Sequence, residues 1–179
     1  APALCRLRNT SDFERLEAMI TPLMDKYSEW LKKRLDTNPY GAPLGKSLFG
    51  LGYYSMGLAK DQYFLNKYYP EIFSDKPVFD ILNYMTGVHP ANNLSLVTGI
   101  GSKSKTTAFG FNRSDYSYIP GGVISGPAWM NPGFFELKED DPFLWIQTEY
   151  TIGGASSFIF IANAADRLMK EHQMREIDK

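Results

Sequence analysis

The sequence has little of several features that would narrow its function at once. One cysteine, Cys5, among 179 residues excludes an internal disulfide and a cysteine-ligated zinc site. Two histidines, His89 and His172, are too few for a histidine-rich metal centre, and we expect neither a metal nor a cofactor. The 19 basic residues are balanced by 20 acidic residues, so the charge indicates neither nucleic-acid binding nor attachment to an anionic membrane. The longest apolar stretch, around 155–165, is too short and too rich in serine and alanine to span a bilayer.

Aromatic residues are abundant. Phenylalanine, tyrosine and tryptophan make up 15% of the chain, with 12 Phe, 11 Tyr and 3 Trp. Flat aromatic faces are surfaces on which sugars and other ring-shaped ligands stack. Large helical cores use the same residues, so composition alone leaves both interpretations open. A length of 179 residues suffices for one domain, or for part of one, with its own core.

Hydrophobic periodicity predicts long helices separated by one long irregular segment. We predict helices over 1–37, 46–60 and 76–85 from apolar residues that recur every three or four positions. Residues 88–141 cluster glycine, proline, serine and asparagine without a clear helix, which is typical of a functional loop region. A last helix is expected over about 142–170, with its first turns perturbed by Gly153 and Gly154. Because strands and helices do not alternate, the pattern predicts an all-α fold.

The predicted helices carry local signals of packing and of their ends. Ser11 and Glu14 have the spacing of a capping box at the start of the first helix. Gly50, Gly52 and Gly57 weaken the second helix by about 1 kcal/mol each, but they would let a neighbouring helix or a ligand approach closely. The first helix has one apolar stripe, formed by Phe13, Leu16, Ile20, Leu23, Met24, Tyr27 and Leu31. The last helix is apolar nearly all round, which predicts a buried helix, at Phe158, Ile159, Ile161, Ala162, Ala165 and Leu168.

A carboxylate is the best candidate for chemistry, because the sequence has no phosphate loop, dinucleotide fingerprint, HExxH zinc motif or GxSxG elbow. His89 lies at a helix exit, and His172 lies in a polar tail where we expect a solvated side chain. Glu149 lies between Ile146 and Tyr150, at the edge of the most apolar segment. Partial desolvation there would raise its pKa and keep it protonated near neutral pH, as a general acid requires. A glutamate simply exposed on the first turn of a helix is the alternative interpretation.

Five segments resemble, in the same order, motifs of glycoside hydrolase family nine, the cellulase-like inverting enzymes. The segments are NPYGAP at 38–43, FGLGYYS at 49–55, LNYMTGVHP at 82–90, LVTGIG at 96–101 and IPGGVISGP at 119–127. They are similar to the family's NPYGVP, WGSNS, YLLGRNP, SFVTGFG and PGVLVGGP patterns. The resemblance implies a partial (α/α)6 toroid, in which 1–179 form a single domain that is the C-terminal portion of the catalytic barrel. It also implies that 88–141 form a long active-site loop region.

The resemblance assigns roles to individual residues. Glu149 matches the family's glutamate at the start of the last barrel helix, which protonates the leaving glycosidic oxygen. Where the family has His-His-Arg near the cleavage point, this chain has Phe111, Asn112 and Arg113. Asn112 and Arg113 would therefore hold sugar hydroxyls. The stacking surfaces would be Tyr40, Tyr116 and Trp145.

The catalytic base is the missing part of this scheme. Inverting hydrolysis needs a second carboxylate, which in the family comes from an aspartate pair in the N-terminal half of the barrel. This chain offers about five helices, too few for the whole barrel. It is therefore either a fragment of a longer enzyme or a degenerate relative. Asp75, Asp80 and Asp115 are present, but nothing in their sequence context indicates that they replace the base.

The leading hypothesis is a C-terminal segment of a secreted or periplasmic glycoside hydrolase that cleaves β-linked glycans, with Glu149 as general acid. Its expected partners are an oligo- or polysaccharide substrate and either the missing N-terminal part or a second copy of the chain. No nucleic-acid or membrane partner is expected. One alternative is a non-catalytic helical module that binds glycans or another protein. Another is a polysaccharide lyase on an (α/α) barrel, which would need a tyrosine or histidine base.

Overall fold

The all-α fold is confirmed by a computed structural model of the chain, in which most of the regular structure is helical. The described residues are 10, 13–37, 39–42, 49–88, 93–105, 109–110, 118–130, 133–135 and 145–177. Side chains are described for all of these except 109–110, 128–130, 133–135 and 145.

Helix α1 spans Phe13–Leu35 and ends, as predicted, on the cations Lys32, Lys33 and Arg34. Of the predicted stripe, Phe13, Met24 and Leu31 are buried. Leu23 is 62% exposed, so its assignment to the buried stripe was wrong. Successive side chains on a helix point in directions 100° apart around its axis. Met24 points toward the core, so its neighbour Leu23 points away from it. Ser11, and with it the capping box, lies outside the described residues.

The two middle helices differ in how well the sequence located them. Helix α2 spans Leu51–Tyr68, so it runs eight residues beyond the predicted end at Lys60 and stops just before Pro70. The predicted start at 46–48 lies outside the described residues. Helix α3 spans Lys76–Met85, as predicted. Gly87 follows it with a φ of 112°, the left-handed conformation that commonly ends helices.

The described part of 88–141 contains only short strands and turns, in agreement with the predicted irregular segment. Strand β1 (Leu94–Ser95) pairs in parallel with β2 (Lys103–Ser104), and Leu94 faces Lys103 in the register. Strand β4 (Ala128–Met130) pairs antiparallel with β5 (Gly133–Phe135). Strand β3 (Phe109–Gly110) pairs in parallel with β6 (Glu149–Tyr150), which lies beyond the segment.

The predicted single helix over 142–170 is interrupted. A short helix α4 (Trp145–Thr148) leads into β6, and helix α5 then spans Ile152–Ile177. Helix α5 is also not buried all round, because Ile159 is 62% exposed and Ile152 is 91% exposed, whereas Ile161 is buried. One side of α5 packs on the core, and the opposite side has no covering element among the described residues.

The core lies where α2, α3 and α5 pack against one another. The loops that carry β1 and the 123–127 segment close this core at one end. Helix α1 joins it through Leu31 and forms a second cluster with the end of α2. The central cluster comprises Leu31, Ala42, Met56, Leu58, Ala59, Ile81, Tyr84, Met85, Leu96, Val97, Val123, Ile124 and Ile161.

Candidate active site

Three segments that are distant in sequence meet at the start of α2. They are the first turn of α2, the loop 123–127 and the segment 146–151. We call these three segments together the α2 junction. The backbone N–H groups of α2 donate to the two other segments, Gly50 to the Ile146 carbonyl (3.1 Å), Leu51 to Pro127 (2.8 Å) and Gly52 to Ser125 (3.1 Å). The first N–H groups of a helix have no partner within the helix. Backbone carbonyls of the other two segments therefore replace a side-chain cap at this end of α2.

Two glycines make this close approach possible. A Cβ atom at Gly50 would lie 2.0 Å from the Ser125 carbonyl oxygen, and one at Gly52 would lie 2.9 Å from it. A close approach therefore occurs at these two positions, but the neighbour is a loop and not the helix or ligand that we expected, and Gly50 precedes α2 instead of lying within it. A Cβ atom at Gly57 would meet nothing within 4 Å, so that glycine has no packing role among the described residues.

Glu149 lies in the α2 junction, within β6, three residues before α5 begins at Ile152. Its backbone carbonyl accepts hydrogen bonds from the Tyr53 hydroxyl (2.6 Å) and from the Ser125 N–H (3.1 Å). Its side chain is partly exposed, and desolvation by burial raises the pKa of the carboxyl above its ordinary value. The carboxyl therefore holds its proton to higher pH than a fully solvated glutamate does.

Tyr53 is the functional-site residue that sequence reasoning missed. Its ring carbon Cε1 lies against the backbone of Gly154 at the start of α5. Its hydroxyl reaches Glu149, accepts a hydrogen bond from the Thr151 N–H (3.1 Å) and lies 3.0 Å from the Val123 carbonyl oxygen. Burial raises the pKa of the phenol to about 12, with a smaller contribution from the charge of Glu149. The motif FGLGYYS pointed to this segment, but no local signal distinguished Tyr53 from Tyr54.

The other predicted site residues are only partly placed. Tyr40 is half-buried and packs against the central core cluster. Trp145 begins α4, but its side chain is not among those described. Asn112, Arg113 and Tyr116 lie outside the described residues. The geometry described here therefore concerns Glu149 and the backbone around it.

The other histidine and aspartate residues that the sequence offered as candidates either have a side-chain partner or lie outside the described residues. His172 lies exposed at the surface, as predicted, with 48% of its side chain accessible, and its Nε2 lies 2.6 Å from Asp75 Oδ2. This contact joins α5 to the residue that precedes α3. Asp80 forms an ion pair with Lys76 one turn away on α3. Asp115 and His89 lie outside the described residues.

The arrangement of α2, α3 and α5 with the closing loops is that of part of an (α/α)6 toroid, so the chain has a glycoside-hydrolase-like fold. A solved structure with this fold is that of AaCel9A in complex with cellobiose-like isofagomine. The two chains match with a TM-score of 0.71 over 90% of this chain, at 13% sequence identity. This chain spans 35% of the length of AaCel9A. At that identity the likeness is one of fold.

Comparisons by sequence alone find no counterpart, since no family model and no curated protein matches the chain. Within the described part of the chain, no helix is both long and apolar enough to cross a bilayer. No group of three or more histidine, cysteine, aspartate or glutamate side chains suited to a metal ion occurs among the described residues.

Proposed function

We propose that this chain is the C-terminal segment of a glycoside hydrolase catalytic domain, with Glu149 as the general acid. The observation that carries the proposal is the half-buried position of Glu149 just before α5 in a chain with a glycoside-hydrolase-like fold, where desolvation raises the pKa of its carboxyl. A general acid must be protonated at the working pH and must deliver its proton to the leaving glycosidic oxygen. Desolvation favours that protonated form.

The mechanism needs a second carboxylate outside the described residues. In inverting hydrolysis the base activates a water on the opposite face of the sugar, roughly 6.5–9.5 Å from the acid. Asp75 and Asp80 are held by His172 and Lys76, so both have partners of their own. We assign the base to the part of the catalytic domain that corresponds to the remainder of AaCel9A, of which this chain spans 35%.

The substrate in this proposal is a β-linked oligo- or polysaccharide. AaCel9A was solved with a cellobiose-like compound, which supports a carbohydrate ligand for the shared fold. Asn112 and Arg113 would hold hydroxyls, and Tyr40, Tyr116 and Trp145 would supply stacking surfaces. In the same proposal, 1–179 belong to one catalytic domain, 88–141 form its active-site loops, and the enzyme acts outside the cytoplasm.

The test replaces Glu149 in the complete catalytic domain, which carries this chain together with the segment that supplies the base. Glu149→Gln keeps the shape and removes the acidic proton, so hydrolysis of a natural β-glucan should fall about 10²–10⁴-fold. Aryl glycosides with acidic leaving groups need no protonation, so their hydrolysis should fall much less. Glu71→Gln, at an exposed carboxylate, is the matched control and should leave both rates unchanged. Equal retention of both activities by Glu149→Gln would refute the assignment.

A non-catalytic glycan-binding module is the second candidate. It is favoured by the ion pair of Asp80 with Lys76 and by the contact of Asp75 with His172, because each carboxylate already has a partner within the chain. In that case the complete protein would bind cellobiose-type oligosaccharides without hydrolysing them. Glu149→Gln would then leave the binding affinity nearly unchanged.

A further inference from the structure

The Tyr53 hydroxyl occupies an unusual place between two backbone groups that flank Tyr150. It lies 2.6 Å from the Glu149 carbonyl oxygen and accepts from the Thr151 N–H at 3.1 Å. A phenol has one hydrogen to donate, and the Glu149 carbonyl is nearer than that of Val123, at 3.0 Å. In extended backbone these C=O and N–H groups cannot bond to each other. The hydroxyl therefore joins the backbone on both sides of Tyr150 to α2.

The ring of Tyr53 is held in place by the start of α5. A Cβ atom at Gly154 would lie 2.2 Å from Tyr53 Cε1, whereas one at Gly153 would find only Thr151 Oγ1, at 4.0 Å. The ring therefore fills the space left by the absent side chain at 154. The side chain of Tyr53 thus links α2, which carries it, to loop 123–127 and to helix α5.

We propose that Tyr53 is a positioning residue for Glu149: by fixing the backbone of β6, it holds the Glu149 carboxyl in its partly desolvated place. This inference deepens the proposed function and rests on it. The Glu149 carbonyl that accepts the Tyr53 hydrogen bond is attached to the same Cα atom as the Glu149 side chain. The direction of that side chain therefore depends on this hydrogen bond. The titratable groups that interact electrostatically with the Tyr53 phenol are Glu149 and Tyr150, and these two residues form β6.

The phenol remains a hydrogen-bond donor over the whole working range. Its pKa of about 12 keeps it protonated far above neutral pH, so the contact to Glu149 does not open by ionisation of the tyrosine. Among the groups at this contact, the carboxyl of Glu149 is the one expected to change charge between acidic and neutral pH.

The experiment measures the pKa of Glu149 by carbon-13 NMR, without substrate, in the same complete catalytic domain as the activity test. In Tyr53→Phe the carboxyl should become more solvated, and its pKa should fall toward the ordinary value. The Thr151 amide should exchange about tenfold faster, since it loses its hydrogen-bond acceptor. Tyr54→Phe removes a hydroxyl from the neighbouring, exposed tyrosine and should change neither quantity. An unchanged Glu149 pKa in folded Tyr53→Phe would overturn the proposal.

A second pair of variants moves the ring and retains the hydroxyl. Gly154→Ala would displace the Tyr53 ring and should lower the Glu149 pKa as Tyr53→Phe does, whereas Gly153→Ala should not. If neither Tyr53→Phe nor Gly154→Ala folds, the wild-type chain decides. Its Tyr53 ring carbon Cζ should then shift with the ionisation of Glu149, while that of Tyr54 should not, and no shift at Tyr53 would overturn the proposal. Because these measurements need no catalysis, they can fail while the Glu149→Gln activity test succeeds, and the reverse.

Discussion

The α2 junction can be tested by adding one methyl group at Gly50. The new Cβ would lie 2.0 Å from the Ser125 carbonyl oxygen, a backbone atom that cannot rotate away. Loop 123–127 would have to retreat by more than 1 Å, because ordinary contacts begin at 3.4 Å. That retreat weakens the hydrogen bonds from Gly52 N–H to Ser125 and from Ser125 N–H to Glu149, each 3.1 Å long.

The expected cost of Gly50→Ala follows from these contacts. Overpacking costs about 1–3 kcal/mol, and each weakened hydrogen bond adds about 1 kcal/mol. Since two hydrogen bonds are weakened, we expect Gly50→Ala to lower the free energy of unfolding by about 3–5 kcal/mol. Gly57→Ala is the matched control on the same helix, where a Cβ meets nothing within 4 Å. It should raise the free energy of unfolding by about 1 kcal/mol, because alanine favours helix over glycine.

Urea unfolding followed by far-ultraviolet circular dichroism measures both changes, and thermal unfolding gives an independent reading. A change of 1 kcal/mol corresponds to a shift of about 2–4 °C in Tm for a chain of this size. If Gly50→Ala were as stable as the wild type, or stabilised like Gly57→Ala, then loop 123–127 would not lie against the start of α2. The hydrogen bonds that surround Glu149 would then have to be reassigned.

Two further predictions concern Glu149 and the exposed side of α5. Because the folded-state pKa of Glu149 is raised from 4.5, its contribution to stability is fully present below that value and is lost as the pH rises through the folded pKa. The stability of Glu149→Gln relative to wild type should therefore increase between pH 4 and pH 7, and a pH-independent difference would contradict the raised pKa. Ile161→Ala should cost about 2–5 kcal/mol at its buried site, whereas Ile159→Ser should stay within about 0.5 kcal/mol. A large cost at Ile159 would show that this face is covered in solution.

Elements with signals at both ends could be predicted from the sequence. Helix α3 has Pro77 in its first turn and Gly87 just beyond its last, and its predicted range agrees with the structure. The end of α2 was placed too early, because Asp61 to Tyr68 is aromatic and gives no clear amphipathic stripe. The helix nevertheless continues to Tyr68, where packing of Tyr63 and Leu65 favours it.

The interruption before α5 could not be predicted locally. Gly153 and Gly154 weaken the first turns of a helix over 142–170, but this local signal does not place a strand at Glu149–Tyr150. The structure instead satisfies the carbonyl of Glu149 with Tyr53, 96 positions away, and with the N–H of Ser125. Such partners compensate the hydrogen bonds that the backbone gives up by leaving the helix.

The sequence by itself determined the helical class, the irregular middle segment and Glu149 as the candidate acid. The first two follow from periodicity and from turn-forming residues, and the third follows from apolar neighbours together with the resemblance of short segments to family-nine motifs. All of these signals lie within a few positions of the chain. Only the tertiary structure decided that Tyr53 and Ser125 hold Glu149 and that one side of α5 is exposed. Those contacts join segments tens of residues apart, and no short-range pattern encodes which distant backbone groups will meet.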